Sequence, residues 1–175
     1  IKPEDIKKVQ AECYKADDDK RWLIALIADT GMRLAEGAGL LKSDFIIKDG
    51  IQCVSIKPHS WRSLKTASSE RIIPLVGSSK WAAEQILAQP GYNQFAFPIY
   101  NDGIRTNANS ASAALNKWLK IRLGPSYSIH SFRHSMRDRL RSIECPNDIV
   151  DQIGGWLTQG IGNSYGVGYP ICIQS

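Results

Sequence analysis

Apolar residues recur three and four positions apart through most of this chain, which is the spacing of one face of an α-helix. Two early helices are predicted at "PEDIKKVQAECYKA" (3–16) and "DDDKRWLIALIADTG" (17–31), and the second is apolar enough to lie in a core. A shorter helix is predicted within "MRLAEGAGLL" (32–41). The same period returns in "SSKWAAEQILAQ" (78–89) and "SASAALNKWLKIRL" (110–123). The pattern therefore predicts a mostly helical chain.

A strand pattern interrupts these helices. "DFIIKDGIQCVSIKP" (44–58) has two β-rich runs on either side of Asp49-Gly50, a pair typical of a tight hairpin. "ERIIPLV" (70–76) supplies a third strand, and the polar, basic segment 59–69 before it is too long for a tight turn. The expected fold class is therefore α+β, mostly helical, with one small antiparallel three-stranded sheet.

The length of 175 residues fits one domain with a hydrophobic core, so we expect residues 1–175 to form a single domain. Because the chain begins abruptly at "IKPEDIKKV", we expect it to be a portion of a longer protein. No apolar run approaches the roughly 18 residues of a membrane span, and no signal peptide opens the chain. The four cysteines are scattered without a CxxC pair, which favours buried thiols in a reducing cytoplasm.

Positive charge is unevenly distributed along the chain. The total is modest, with 22 Lys+Arg against 17 Asp+Glu and a formal charge of +5. Between Lys117 and Arg141, however, there are seven Lys/Arg and a single acid, Asp138. This asymmetry predicts a basic face of the kind that binds nucleic acid.

The segment "SIHSFRHSMRDRLR" (128–141) carries much of this charge. An apolar stripe at helical spacing, which we expect to be buried, consists of Phe132, Met136, Leu140 and Ile143. Within about a quarter-turn of one another on a different face lie His130, Arg133, Arg137 and Arg141. A helix with so much positive charge on one face needs an anionic partner.

The chain also contains the residue types needed to break a phosphodiester without a metal. Such a site needs fixed cations for the phosphate oxygens, a nucleophile and an acid for the leaving oxygen. Arginine suits the first role because its planar fork holds two oxygens and stays protonated. The candidates, in chain order, are Arg33, Glu36, Lys65, His130, Arg133, Trp156 and Tyr165.

This ordered set resembles the catalytic domain of the tyrosine recombinases, the phage integrase family. The family pattern runs Arg, Lys, His-x-x-Arg, His or Trp, and then Tyr, and the match extends from about Thr30 to Tyr165. Its most specific pieces are "TGMRLAE" for TG-x-R-x-x-E and "HSFRH" for H-x-x-R-H. Trp156 stands where most members carry histidine and a minority carry tryptophan.

The resemblance implies a site-specific DNA recombinase that cleaves and rejoins strands through a 3′-phosphotyrosyl link, without metal, cofactor or ATP. Tyr165 would attack the phosphate, and Arg33 and Arg133 would clamp its non-bridging oxygens. His130 would accept the tyrosine proton or bind the phosphate. Lys65 would protonate the departing 5′-oxygen.

The same resemblance implies supporting roles for other residues. Trp156 would donate its indole N–H to the phosphate, and Glu36 would orient Arg33. We expect contacts with the DNA backbone from three arginines, namely Arg62, Arg137 and Arg141.

The resemblance further implies double-stranded DNA as partner and a homo-oligomer, a tetramer on DNA, with a monomer in isolation as the alternative. It implies a bacterial or phage-encoded protein that is associated with DNA in the cytoplasm. Family members usually carry an additional N-terminal DNA-binding domain. They also exchange C-terminal tails, for which "VGYPICIQS" (167–175) is the candidate, with "ICI" as a short strand.

Several assignments have alternatives. Arg33 and Glu36 could be an ordinary surface pair, and His130 and His134 could bind zinc with a distant His59. Lys57, Arg62 and Arg71 lie near Lys65 and compete for its role, and Tyr169 competes with Tyr165. Two other functions also remain open: a DNA-binding module without chemistry, and a DNA-relaxing enzyme of the type IB topoisomerase kind.

Overall fold

A computed structural model of the chain describes residues 1–156 and 169–175. Within these residues the helices are α1 (Pro3–Ala16), α2 (Asp19–Thr30), α3 (Leu34–Ala38), α4 (Gly77–Ala88), α5 (Ala108–Leu123), α6 (Ser131–Ser142), α7 (Asn147–Gly154) and α8 (Ile171–Gln174). The strands are β1 (Phe45–Lys48), β2 (Ile51–Ile56) and β3 (Arg71–Pro74). The mostly helical α+β prediction is confirmed, and α1 has the predicted bounds.

The sheet is antiparallel in the order β1-β2-β3. Its hairpin closes as the sequence predicts, because Lys48 pairs with Ile51 and leaves Asp49 and Gly50 as the turn. Both turn residues have positive φ, 52° and 77°, which is the backbone that a tight two-residue hairpin requires. On the other side, Ile56 pairs with Arg71, so the long segment 57–70 leaves and re-enters the sheet at one end.

Helix α2 forms the centre of the core, and it packs against α1, α4 and α6. Its apolar residues are buried all round, as expected for a helix without a polar face. The helix begins where the Asp18 side chain accepts a hydrogen bond from the Arg21 amide. It ends at Gly31, whose φ of 60° turns the chain toward α3.

Two local predictions at the C-terminal side are wrong. Ile143 does not extend the buried stripe of α6, because the helix ends at Ser142 and leaves Ile143 72% exposed. Phe132 and Met136 are buried as expected. The "ICI" segment is not a strand but part of α8, which packs against β3 with Ile171 buried.

The cysteines follow the prediction only in part. Cys13 and Cys53 are buried, Cys145 is half-buried and Cys172 is exposed, and all four are free thiols. The buried residues of α8 are Ile171 and Gln174, and Cys172 is not among them. No helix of the described residues has the length and apolar character needed to cross a membrane.

Candidate active site

Arg33 is held at the start of α3 by the carboxylate one turn further on. Its guanidinium Nη1 donates to Glu36 Oε1 at 2.7 Å, and its backbone amide donates to Glu36 Oε2 at 2.9 Å. Glu36 therefore closes the helix start and orients the arginine side chain at the same time. The predicted pairing of these two residues is present, and the carboxylate is almost wholly buried, so it is not an ordinary surface pair.

A second arginine, Arg71, binds the same carboxylate. Its Nη2 donates to Glu36 Oε2 at 2.9 Å, and its side chain is only 4% exposed. Burial by itself would raise the pKa of Glu36. The charge and hydrogen bond of Arg71, together with the hydrogen bonds from Arg33, outweigh that effect and hold the pKa below its usual value. Glu36 thus stays ionised between two cations.

Ser69 connects this pair to the turn that carries Lys65. Arg33 Nη1 donates to Ser69 Oγ at 2.9 Å, and the same oxygen lies 2.9 Å from Thr66 Oγ1. Ser69 is fully buried, whereas Lys65 is exposed at the turn. The hydroxyl contacts therefore connect the turn that carries this exposed lysine to the Arg33 guanidinium.

The base of this turn is fixed to the rest of the fold by buried polar contacts. Trp61 Nε1 donates to the Gly39 carbonyl at 3.1 Å, and the His59 ring lies 2.9 Å from the buried Asp44 carboxylate. Arg62 contradicts its predicted role at the DNA backbone. It is 4% exposed, and its guanidinium donates to the backbone carbonyls of Glu36 and Lys57. Arg62 therefore stabilises the turn through these buried hydrogen bonds.

Arg133 lies below the surface, where it joins two other segments. It is 4% exposed, and it donates from Nη1 to the Gly31 carbonyl at 2.7 Å and from Nη2 to the Gly154 carbonyl at 2.6 Å. Burial, and then the charges of Arg33 and Arg71, lower its pKa to about 10, so it remains protonated at neutral pH. Of the four residues that the sequence places on one face of this helix, Arg133 is therefore buried, whereas Arg141 is exposed.

Trp156 covers Arg133. Its ring centre lies 4.3 Å from the Arg133 guanidinium carbon and 4.8 Å from that of Arg137. The ring also lies so close to Gly154 that a Cβ there would be 1.9 Å from it. Arg137 is half-buried and faces Asp151 at 3.8 Å, so it belongs to the wall of the site. Both guanidiniums therefore lie at cation–π distance from the indole ring.

His130 is exposed at the start of α6, near enough to the predicted cations for their charges to act on its ring. Partial burial lowers its pKa first, followed by the positive charges of His134, Arg133, Arg33 and Lys65. These residues come from α3, the 57–70 segment and α6. A lowered pKa keeps the imidazole neutral at pH 7, in the form that accepts a proton.

The zinc alternative finds little support in this geometry. The rings of His130 and His134 lie edge to face with centres 5.0 Å apart, while His59 is paired with Asp44. Within residues 1–156 and 169–175, no group of three or more His, Cys, Asp or Glu side chains is arranged to hold a metal ion.

The candidate nucleophile, Tyr165, lies outside the described residues. Its competitor Tyr169 is described, and its hydroxyl donates to the Asp148 carboxylate at 2.7 Å. The Tyr169 amide donates to Gln152 Oε1 at 2.9 Å. The hydrogen bond to Asp148 raises the pKa of Tyr169. Tyr169 is thus occupied by contacts with α7.

The sequence did not identify Arg71 or Ser69 as parts of this site. An arginine at the start of a strand and a serine in a polar turn carry no periodic signal, so only their burial distinguishes them. The sequence indicates Arg71 only as a competitor for the role of Lys65.

Comparisons with known proteins bear on the family and the fold of this chain. The model of the phage integrase family matches residues 1–166. No curated protein matches the sequence.

Three solved structures share the fold. The crystal structure of XerA recombinase has a TM-score of 0.67 at 16% identity, covering 90% of this chain and 55% of that one. The Tn1549 transposon integrase, in complex with circular intermediate DNA, has a TM-score of 0.61 at 17% identity, with 94% and 64% covered. XerH site-specific recombinase, bound to its difH substrate, has a TM-score of 0.58 at 21% identity, with 87% and 45% covered. The chain thus spans less than two thirds of each.

Proposed function

Because this chain belongs to the phage integrase family, we propose that it is the catalytic domain of a site-specific DNA recombinase. The enzyme cleaves and rejoins DNA strands through a 3′-phosphotyrosyl intermediate and uses neither metal nor ATP. The observation that carries this proposal is a hydrogen-bond network that joins the Arg33–Glu36 pair, the turn of Lys65 and the end of α7, where Arg133 also binds. In this proposal the protein is bacterial or phage-encoded and acts on DNA in the cytoplasm, and the recombining unit is a homo-oligomer on two duplexes.

The cationic cluster suits the charge change at the reacting phosphate. A phosphodiester carries one negative charge, and about two develop as an attacking oxygen bonds to phosphorus, so preorganised cations stabilise the transition state more than the ground state. Arg33 and Arg133 have restricted geometry, because each is held by protein acceptors. Within the described residues, two of the five N–H groups of Arg133 are used, which leaves donors for phosphate oxygens.

The proposed reaction balances without a co-reactant. The Tyr165 oxygen forms a bond to phosphorus as its proton passes to His130, and the bond from phosphorus to the 5′-oxygen breaks. Lys65 supplies the proton that the leaving 5′-oxygen takes up. A 5′-hydroxyl from another strand then reverses the step, with the tyrosine as leaving group. The adjacent positive charges favour the phenolate, whose usual pKa is near 10.

A trapped adduct tests the proposal directly. The chain would be incubated with a pool of nicked duplexes of random sequence, whose short cleaved fragment diffuses away, and separated under denaturing conditions. We expect a covalent protein–DNA adduct that disappears in Tyr165→Phe. The matched control is Tyr169→Phe, which should retain the adduct because Tyr169 is bonded to Asp148 and Gln152.

Three results would contradict this assignment. DNA binding without an adduct would mean that the chain is a non-catalytic DNA-binding module. An adduct lost only in Tyr169→Phe would transfer the nucleophile to that residue. Relaxation of supercoiled plasmid without sequence preference would favour an enzyme of the type IB topoisomerase kind.

A further inference from the structure

The buried guanidinium of Arg71 joins three separate parts of the candidate site. It donates from Nη2 to Glu36 Oε2 at 2.9 Å, from Nε to the Ile153 carbonyl at 2.8 Å, and from Nη1 to the Ser69 carbonyl at 2.6 Å. The acceptors lie in α3, in α7 and in the turn that carries Lys65. No other arginine of the described residues contacts all three of these acceptors.

We infer that Arg71 is a positioning residue for strand cleavage. It fixes the orientation of Arg33 through Glu36, and it holds the end of α7 that leads to Trp156. This inference rests on the proposed function. All three guanidinium nitrogens of Arg71 donate to protein acceptors, and its side chain is 4% exposed against 24% for Arg33, so phosphate would contact Arg33. The effect of Arg71 on the reaction is therefore indirect.

The first link runs through the shared carboxylate. Glu36 uses Oε1 for the Arg33 side chain, and Oε2 for both Arg71 and the Arg33 amide. A carboxylate held on both oxygens cannot rotate about its last bond without losing a charge-assisted hydrogen bond. Removing Arg71 leaves Oε2 with the Arg33 amide alone, so the carboxylate and the Arg33 guanidinium that it orients are held less firmly.

The second link runs to the end of α7. Arg71 binds the Ile153 carbonyl and Arg133 binds the next carbonyl, that of Gly154. Two guanidiniums thus meet the partial negative charge at the C-terminus of one helix. The chain then turns at Gly155, with a φ of 64°, and continues to Trp156.

Close packing at Gly155 shows how tightly this turn is fitted to Arg71. A Cβ at Gly155 would lie 2.9 Å from Arg71 Nη1 and 3.1 Å from its Cζ. The turn at Gly155 therefore lies directly against the Arg71 side chain. Lysine could reach one of the three acceptors, but a single ammonium lacks the planar fork that satisfies all of them.

The electrostatic role of Arg71 provides a readout that loss of stability would not change. Four arginines place charge near Glu36, namely Arg33, Arg62, Arg71 and Arg133. Arg71 contributes the largest effect that lowers the pKa of Glu36, against the raising effect of burial. Without Arg71 we expect the pKa of Glu36 to rise, so the carboxylate would protonate at a higher pH.

The experiment compares Arg71→Gln and Arg71→Lys with a matched control, Arg139→Gln. Arg139 is also an arginine that joins a carboxylate, Asp29 at 3.1 Å, to a backbone carbonyl, that of Ala28, but it lies outside the site. Single-turnover cleavage of a nicked duplex would be measured at saturating protein, with DNA affinity measured separately. We expect cleavage to fall roughly 10- to 100-fold in Arg71→Gln, with little change in affinity and little change in the control.

A double-variant cycle distinguishes positioning from general weakening of the fold. If Arg71 acts in part through Glu36, then Arg71→Gln combined with Glu36→Gln should slow cleavage by less than the product of the two single effects. Arg71→Lys should keep the fold, as judged by circular dichroism, and should recover only part of the rate. If the rate losses of the two single variants simply multiply in the double variant, the inference is overturned.

The pH profile is the final readout. Cleavage by Arg71→Gln should decline at a higher pH than wild type on the acid side, and this shift should vanish when Glu36→Gln is added. An unchanged profile, or a rate equal to that of Arg139→Gln, would overturn the inference while leaving the proposed function intact. A wild-type chain that forms no adduct would overturn both.

Discussion

The Arg133 guanidinium donates a 2.7 Å hydrogen bond to the carbonyl oxygen of Gly31, a residue 102 positions earlier in the chain. Gly31 ends α2 and turns the backbone toward Arg33. The bond therefore fixes the turn that presents one candidate arginine against the helix that carries the other. Two guanidiniums that bind one phosphate need such a constraint, because their spacing must match the oxygens.

The first prediction concerns Arg133 itself. Arg133→Ala should abolish detectable cleavage and also lower the free energy of unfolding. The second effect arises because the carbonyls of Gly31 and Gly154 lose their donor, at a cost of about 1–3 kcal/mol for each buried group left unpaired. Urea unfolding would measure it. The exposed Arg141→Ala should change stability by less than about 0.5 kcal/mol, and equal stability of the two variants would contradict the prediction.

The second prediction concerns the turn at Gly31. Gly31→Ala must adopt a φ of 60° and places a Cβ 2.4 Å from Met136 Cε and 3.2 Å from Met136 Cβ. Gly50→Ala is the matched control, since its φ is 77° and nothing lies within 4 Å. Both variants carry backbone strain of roughly 1–2 kcal/mol, and Gly31→Ala adds about 1–3 kcal/mol of overpacking. Denaturant unfolding of the pair should show this difference, and equal losses would refute it.

The third prediction concerns Lys65 as the general acid. Lys65→Ala should slow cleavage of ordinary DNA by roughly 10²- to 10⁴-fold. A substrate whose bridging 5′-oxygen is replaced by sulfur should restore the rate, because a thiolate leaves without being protonated. Cleavage rates on the two substrates provide the measurement. A defect of equal size on both would assign Lys65 to phosphate binding instead.

The fourth prediction is the pH dependence of His130. The folded protein disfavours the protonated ring of His130, so its pKa lies below the usual 6.5 and the ring is neutral at pH 7. His134→Asn removes one of the positive charges, so the pKa of His130 should rise toward 6.5. An NMR titration of the imidazole C2 proton in the DNA-free protein would follow the shift, and cleavage should then decline at a correspondingly higher pH on the acid side. An unmoved titration would contradict this account.

Local patterns in the sequence were sufficient for most of the fold. The period of α1 and α2 and the Asp49-Gly50 turn act through residues close in sequence, so they were predicted within a few positions. The order of the site residues pointed to the family, which the family model confirms over residues 1–166. The roles of individual residues, including Tyr165, stay predictions.

The burial of the arginines lay beyond sequence reasoning. On a helical wheel Arg133 shares a face with Arg137 and Arg141, and nothing local distinguishes it. Arg133 is buried because the end of α2 and the end of α7 close over it and supply carbonyl acceptors. Arg62 is likewise buried because two backbone carbonyls accept its hydrogen bonds.

By itself, then, the sequence determined the helices from α1 to α6, the hairpin, the family and the set of candidate residues. The tertiary structure alone decided which cations are exposed and which are internal, and it revealed Arg71 between Glu36, Ser69 and Ile153. The physical reason is that a guanidinium can be buried only where other segments provide acceptors for its N–H groups. Those acceptors come from parts of the chain that only folding brings together.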